Sequence, residues 1–224
     1  DPLNTFDWIM DLSETKNLVS AFYFICGQTN HVYDPDYKIN NPKITNLIKH
    51  IHKRGHEIGL HPSYDTYQSP RLIKQEAELL KKTCYEQGVT QKTWGGRMHY
   101  LRWESTTTLQ AWDEAGMNYD STLGYADQPG FRCGTCIEYP AFNPIDQTEM
   151  KTLRIRPLIT MECSIIEPIY LGLGFSKEAI EKFSSSIENC KKVNGQYTLL
   201  WHNSNLHNIN QKELYKTIID VATG

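Results

Sequence analysis

Long apolar runs are missing from this chain. No window approaches the roughly 18 apolar residues that a bilayer-spanning helix needs, so no membrane span is expected. An excess of positive charge is missing too: 23 Lys and Arg stand against 26 Asp and Glu, with the signs interspersed, for a net charge of −3. Without a basic footprint, nucleic acid is not an expected partner. Neither a GxGxxG nor a Walker A motif occurs, which leaves nucleotide binding without support. Low-complexity tracts, solenoid-length repeats and a recognisable signal peptide are also absent. Cysteine is present without a framework, as six residues at 26, 84, 133, 136, 163 and 190. Only Cys133 and Cys136 form a CxxC, and no second pair lies at zinc-ribbon spacing. That pair reads as loop cysteines, with half a metal site or a redox pair as the alternatives. Cys26, Cys84 and Cys190 fall on apolar positions, where a thiol behaves as a small hydrophobe. Together these absences point to a reducing, cytoplasmic compartment.

What is present is enough apolar material for a core: 39% hydrophobic and 11% aromatic residues in a chain of 224. The order of elements follows from periodicity. "TFDWIMDLSETKNLV" places Phe6, Ile9, Met10 and Leu18 at roughly helical spacing. "SAFYFICG" is a continuous apolar run of strand length, as suits a strand buried on both faces. Ile44, Leu47, Ile48 and Ile51 recur at i, i+3, i+4, i+7 with Gly55 as a stop, which predicts an amphipathic helix. "HEIGLH" reads as a strand, 70–87 as a helix with Ile73, Ala77, Leu80 and Cys84 inward, and "KTWGGR" as a strand. A helix over 104–115 and a strand at "MNYDST" follow. Residues 124–152 show no clear period and read as a long loop with room for one short strand. Strands are then expected at 153–157 and 159–166, a helix over 176–192, a strand at "QYTLLWHN" and a last helix over 210–222.

Strand and helix alternating in this way mean parallel βαβ units, hence an α/β barrel or a doubly wound sheet. Barrels carry their chemistry at the C-terminal ends of strands. Four predicted strands end in His61, Arg97, Asp120 and His202, which favours the barrel. In "HEIGLHPSYD", His61 and Asp65 stand at i, i+4. A helical turn begun at Pro62 would put both on one face as two ligands for a divalent cation, or they hydrogen-bond each other in a loop.

"RGHEIGLHPSYD" resembles the second motif of the polysaccharide deacetylases, the NodB-homology or family 4 carbohydrate esterase group. That motif runs H-E-I-G-N-H, then Ser or Thr, two variable residues and a second His. The remaining motifs appear in order: "GGRMHYL" resembles the family's R-x-P-Y segment, "YDSTLGYAD" its fourth motif and "LLWHN" its fifth, L-x-H. The resemblance implies one α/β domain over 1–224, an irregular (β/α) barrel of about seven strands. It implies His61 and Asp65 as metal ligands, with zinc the favoured divalent ion and Asp replacing a family histidine. Arg97 would orient a catalytic base, and the Tyr100 N–H would help bind an oxyanion. His202 would be the general acid, with Asp120 as the carboxylate that keeps it charged and Asp127 as a second candidate for the fourth motif.

The family's adjacent aspartates have no counterpart here. Only thirteen residues separate Asp7 of "NTFDW" from Ala21, too few for the helix that follows them in the family. The matching first strand is therefore expected upstream of residue 1, leaving the barrel N-terminally incomplete. Around the mouth, Asp127, Arg132, Tyr64 and Trp103 are candidates for contact with a glycan, with Tyr67, Tyr125 and Arg102 nearby. The implied activity is metal-dependent removal of acetyl groups from amino sugars of a polysaccharide or its precursor. The alternatives are a silent carbohydrate-binding barrel and a metal-independent hydrolase using Asp120 and His202.

Overall fold

The structure, a computed structural model, describes residues 2–224. It is mixed α/β, with a mostly parallel sheet that does not close on itself. Two compact units are distinguished. A sheet unit comprises Val19–Thr122 and Tyr139–Arg156, and a helical unit comprises the described residues up to Leu18, Leu123–Glu138 and Pro157–Gly224. No helix among the described residues is long and apolar enough to cross a membrane.

The sheet unit contains β1 (Ala21–Phe24), β2 (Glu57–Leu60), β3 (Gly95–Gly96), β4 (Tyr119–Asp120), β5 (Tyr139–Asn143) and β6 (Thr148–Ile155). Their spatial order is β1-β2-β3-β4-β6-β5, parallel throughout except for the antiparallel β5–β6 pair. Its helices are α2 (Pro42–Lys53), α3 (Pro70–Glu86) and α4 (Thr108–Glu114). α2 starts where Asn41 accepts a hydrogen bond from the Lys43 N–H and Pro42 supplies a preset φ. It stops at Gly55, whose φ of 81° only glycine adopts without strain. Ile48 and Ile51 of α2 and Ile73, Ala77, Leu80 and Cys84 of α3 are fully buried, along the stripes that periodicity marks.

Close strand packing explains the glycines. A Cβ on Gly95 would occupy the place of the Tyr119 ring, and one on Gly96 would run into the Leu60 carbonyl. The room they leave holds a polar cluster inside the sheet unit. Tyr119 donates to Glu57 and meets the Tyr23 hydroxyl at 3.1 Å, while the Arg156 guanidinium lies 3.6 Å over its ring.

The helical unit contains α1 (Phe6–Thr15), β7 (Thr160–Met161), α5 (Glu162–Ile166), α6 (Lys177–Lys192), β8 (Leu199–Leu200) and α7 (Ile209–Thr223). β7 and β8 form a two-stranded parallel sheet. Ile165, Phe183, Ile187, Leu214 and Ile218 make the core between α5, α6 and α7. Ser176 caps α6, and Asn208 with Gln211 forms a capping box on α7. Cys136 and Cys190 are buried together against Ile159, and all six cysteines are free thiols.

Two expectations are corrected. The second half of the loop expected over 124–152 is the β5–β6 hairpin, and the strand expected at 153–157 is the end of β6. Pro140 and a register shift between Pro140 and Phe142 break the alternation that would have marked β5. The strand expected over 159–166 is only β7, after which the chain turns into α5. A short apolar run does not distinguish a strand from a buried helical turn, and here Ile165 and Ile166 pack as a helix face.

Two stability predictions follow from this packing. Gly96→Ala forces the Leu60 strand aside, and urea denaturation should show a loss of about 3 kcal/mol or more. Asp120, at the end of β4, is fully buried and its pKa is pushed up to about 6, chiefly by burial. Between pH 4 and 6 the folded state therefore keeps a proton that the unfolded chain has released. Stability should fall as pH rises through that window, by roughly 3 kcal/mol from this group. Denaturation midpoints at several pH values should show that component vanish in Asp120→Asn.

Candidate functional site

In the sheet unit, His61 follows β2 directly, and its Nδ1 lies 2.6 Å from the Arg97 carbonyl oxygen. Donating there fixes the proton on Nδ1 and makes Nε2 the lone-pair nitrogen. The ring packs against His99, centroids 4.8 Å apart. His99 Nδ1 in turn lies 3.1 Å from Asp34 Oδ1. Asp34 is buried and accepts from the backbone N–H groups of Thr29, Asn30 and Tyr64 at 2.8–2.9 Å. Burial alone would raise its pKa. The backbone hydrogen bonds and His99 outweigh that and hold it below the usual carboxylate range.

A second buried carboxylate, Glu76 of α3, accepts from the Ser63 N–H at 2.9 Å and from the Ser63 hydroxyl. It also fills the space where a Cβ on Gly27 would stand, so one helix side chain positions the segments beyond β1 and β2. Asp65 lies in a 3-10 turn over Tyr64–Thr66 and is half exposed. Its oxygens go to Arg102 Nη1 at 2.8 Å and Asn30 Nδ2 at 3.2 Å. The Arg102 guanidinium stacks between Tyr64 and Tyr67, at 4.0 and 4.2 Å.

Tyr33, Tyr64 and Tyr100 form an aromatic cluster, with Tyr33 stacked on Tyr64 at 4.3 Å and Tyr100 edge-on to both at 5.3 Å. Tyr100 and Leu101 take φ values of 57° and 53°, unusual for residues with side chains. Arg97 is buried and reaches the next strand end, donating from Nε to the Ser121 carbonyl at 2.8 Å and from Nη2 to the Ser121 hydroxyl at 2.9 Å. Asp120 accepts from the Thr122 hydroxyl and N–H. Trp103 is half-buried with its indole nitrogen enclosed and unpaired.

In the helical unit, β7 and β8 run parallel and deliver Glu162 and His202 side by side. His202 Nδ1 stands 2.6 Å from Glu162 Oε1, and the His202 N–H donates to the same oxygen at 2.8 Å. Asn205 Nδ2 adds a third bond at 3.0 Å. Glu162 is fully buried, while the His202 side chain is 48% exposed. Burial would raise the pKa of Glu162, but His202 and Asn205 hold it below the usual value, so it is a carboxylate. Cys163 Sγ lies 3.5 Å from Glu162 Oε1 and 3.7 Å from His202 Nδ1. Burial and the Glu162 charge push its thiol up to about 12. Asp127 is exposed, and Arg132 donates to the Gly124 carbonyl at 3.0 Å.

The carboxylate that holds His202 is thus Glu162, where the sequence suggested Asp120. Glu162, Cys163, Asn205, Asp34 and His99 were not singled out from sequence. "ECS" after an apolar run and the Asn three positions beyond His202 were the available signals. Among the described residues, Glu162, Cys163 and His202 form a group of three metal-capable side chains with ligand atoms within 4.8 Å of one another. His61 and Asp65 belong to no such group among the described residues.

No protein-family model matches the chain, and no curated protein sequence is similar to it. Solved structures are similar, among them the crystal structure of PuuE allantoinase. That match covers 96% of this chain with a TM-score of 0.57 at 13% identity. The chain spans 65% of the allantoinase chain's length. At this identity the likeness concerns the fold, and the two proteins share a (β/α) barrel-like arrangement.

Proposed function

We propose that the protein is a hydrolase of an amide-type carbon–nitrogen bond, with an acetylated amino sugar of a glycan or its precursor as the substrate class. The observation that carries this reading is the Glu162–His202 pair. A buried carboxylate fixes the imidazole tautomer and stabilises the imidazolium, as in other carboxylate–histidine pairs that transfer protons. With Nδ1 committed to Glu162, Nε2 is the nitrogen that exchanges protons with substrate. Water adds to the carbonyl carbon, the C–N bond breaks, and the leaving nitrogen takes its proton from His202. The proton of the attacking water restores the imidazolium.

Three further observations support the reading. The fold resembles that of a solved hydrolase, the allantoinase. In the sheet unit, Tyr33 and Tyr100 expose 44% and 60% of their surface, and such rings suit stacking of a sugar face. Asp127 and Arg132 are polar groups suited to sugar hydroxyls. Arg97 we assign to positioning the Ser121–Thr122 turn. Six free thiols suit a reducing, cytoplasmic setting. The motif resemblance implies a metal at His61 and Asp65. With both Asp65 oxygens bound by Arg102 and Asn30, no step is assigned to a metal there.

A panel of N-acetylated amino sugars and their oligomers, with allantoin included, tests the activity through release of acetate or of a ring-opened product. Acetate release from the sugars is expected, with kcat falling roughly 10²- to 10⁴-fold in His202→Ala while circular dichroism stays unchanged. Glu162→Gln should also lose kcat with little change in KM. Unimpaired turnover by His202→Ala would overturn the assignment.

A further inference from the structure

We propose that Glu162, Cys163 and His202 form a binding site for a borderline-soft divalent cation of the zinc class, whose binding takes His202 out of proton transfer. Ligands sharing a tetrahedral ion at about 2.0–2.3 Å stand roughly 3.3–3.8 Å from one another. Cys163 Sγ already lies 3.5 Å from Glu162 Oε1 and 3.7 Å from His202 Nδ1. The Nδ1–Oε1 pair, at 2.6 Å, is drawn together by a shared proton and has to open by under about 1 Å when a cation replaces that proton.

An independent feature points to a ligand. Glu162 Oε2 is buried and has no hydrogen-bond partner, although Oε1 of the same carboxylate takes four. Buried polar atoms are rarely left so, and a cation beside the carboxylate would satisfy the oxygen. The chemistry of the set selects the ion. A thiolate with an imidazole favours zinc-class metals over magnesium or calcium. Asn205 Nδ2 contacts both Glu162 Oε1, at 3.0 Å, and Cys163 Sγ, at 3.4 Å, as an outer partner that orients two ligands. The half-exposed His202 ring leaves an entrance from solvent and a fourth position for water.

The bonding change is simple. The Cys163 S–H bond breaks, its proton leaves to solvent, and a sulfur–metal bond forms. The ring proton of His202 moves from Nδ1 to Nε2 as Nδ1 takes the metal. Nε2 can then no longer accept a proton.

The site shares Glu162 and His202 with the proposed hydrolysis, but only its inhibitory effect rests on that reading. Cobalt(II) added to the chelator-stripped full chain reads the site directly, through the thiolate-to-cobalt absorption band, with zinc as competitor. One equivalent of cobalt should produce the band, zinc should abolish it, and Cys163→Ser or Cys163→Ala should weaken binding by more than roughly 100-fold. Absence of the band, or an equal band in both cysteine variants, would overturn the site. Where hydrolysis is measurable, zinc should inhibit the wild type while Cys163→Ser keeps its rate and escapes inhibition. Zinc binding with hydrolysis unchanged would overturn the claim that one histidine serves both.

Discussion

A carboxylate with no exposed surface, that of Glu162, sets the arrangement at the ends of β7 and β8. Burying an ionised group is costly unless donors surround it. Here the donors come from a stretch of four residues after β8: the His202 N–H, the His202 ring and the Asn205 amide. Trp201 closes the same turn by donating from its indole nitrogen to the Asn205 carbonyl at 3.0 Å. The turn therefore keeps its shape for the same reason that the imidazole keeps its tautomer. The turn and the imidazole tautomer depend on one ion.

The sheet unit also places buried acids beneath its loops. Asp34 gathers three backbone N–H groups and His99, and Glu76 gathers Ser63 beside Gly27. Both fix loops beyond strand ends, where the sheet itself supplies no further ladder bonds. Glu76 and Asp120 differ from Asp34 in that burial outweighs their hydrogen bonds and raises the pKa of both. Asp120 has one hydroxyl and one N–H as partners, too few to offset burial, and its pKa rises to about 6. At each buried acid the balance between burial and its donors sets the direction of the shift.

Much of the architecture was legible in the sequence. The apolar stripes of α2 and α3 mark faces that are buried, from Ile48 and Ile51 to Leu80 and Cys84. The strand-like runs around Phe24, Leu60 and Leu200 fall in β1, β2 and β8. His61, Arg97, Asp120 and His202 stand at strand ends or just beyond them. The β5–β6 hairpin was hidden by Pro140 and a register shift, and α5 by a run too short to carry a period. The acids that organise the loops were not legible at all. Asp34 meets His99 across 65 positions and Glu162 meets His202 across 40, and no local pattern encodes a contact of that separation.

The central claim is that Glu162 holds His202 with its proton on Nδ1. Long-range ¹H–¹⁵N correlation on metal-free protein carrying ¹⁵N-labelled histidine measures this directly, with Glu162→Gln for assignment. The account predicts that neutral His202 carries its proton on Nδ1, with Nε2 as the unprotonated nitrogen, and that this preference is lost in the variant. A neutral His202 protonated on Nε2, unchanged by Glu162→Gln, would contradict it.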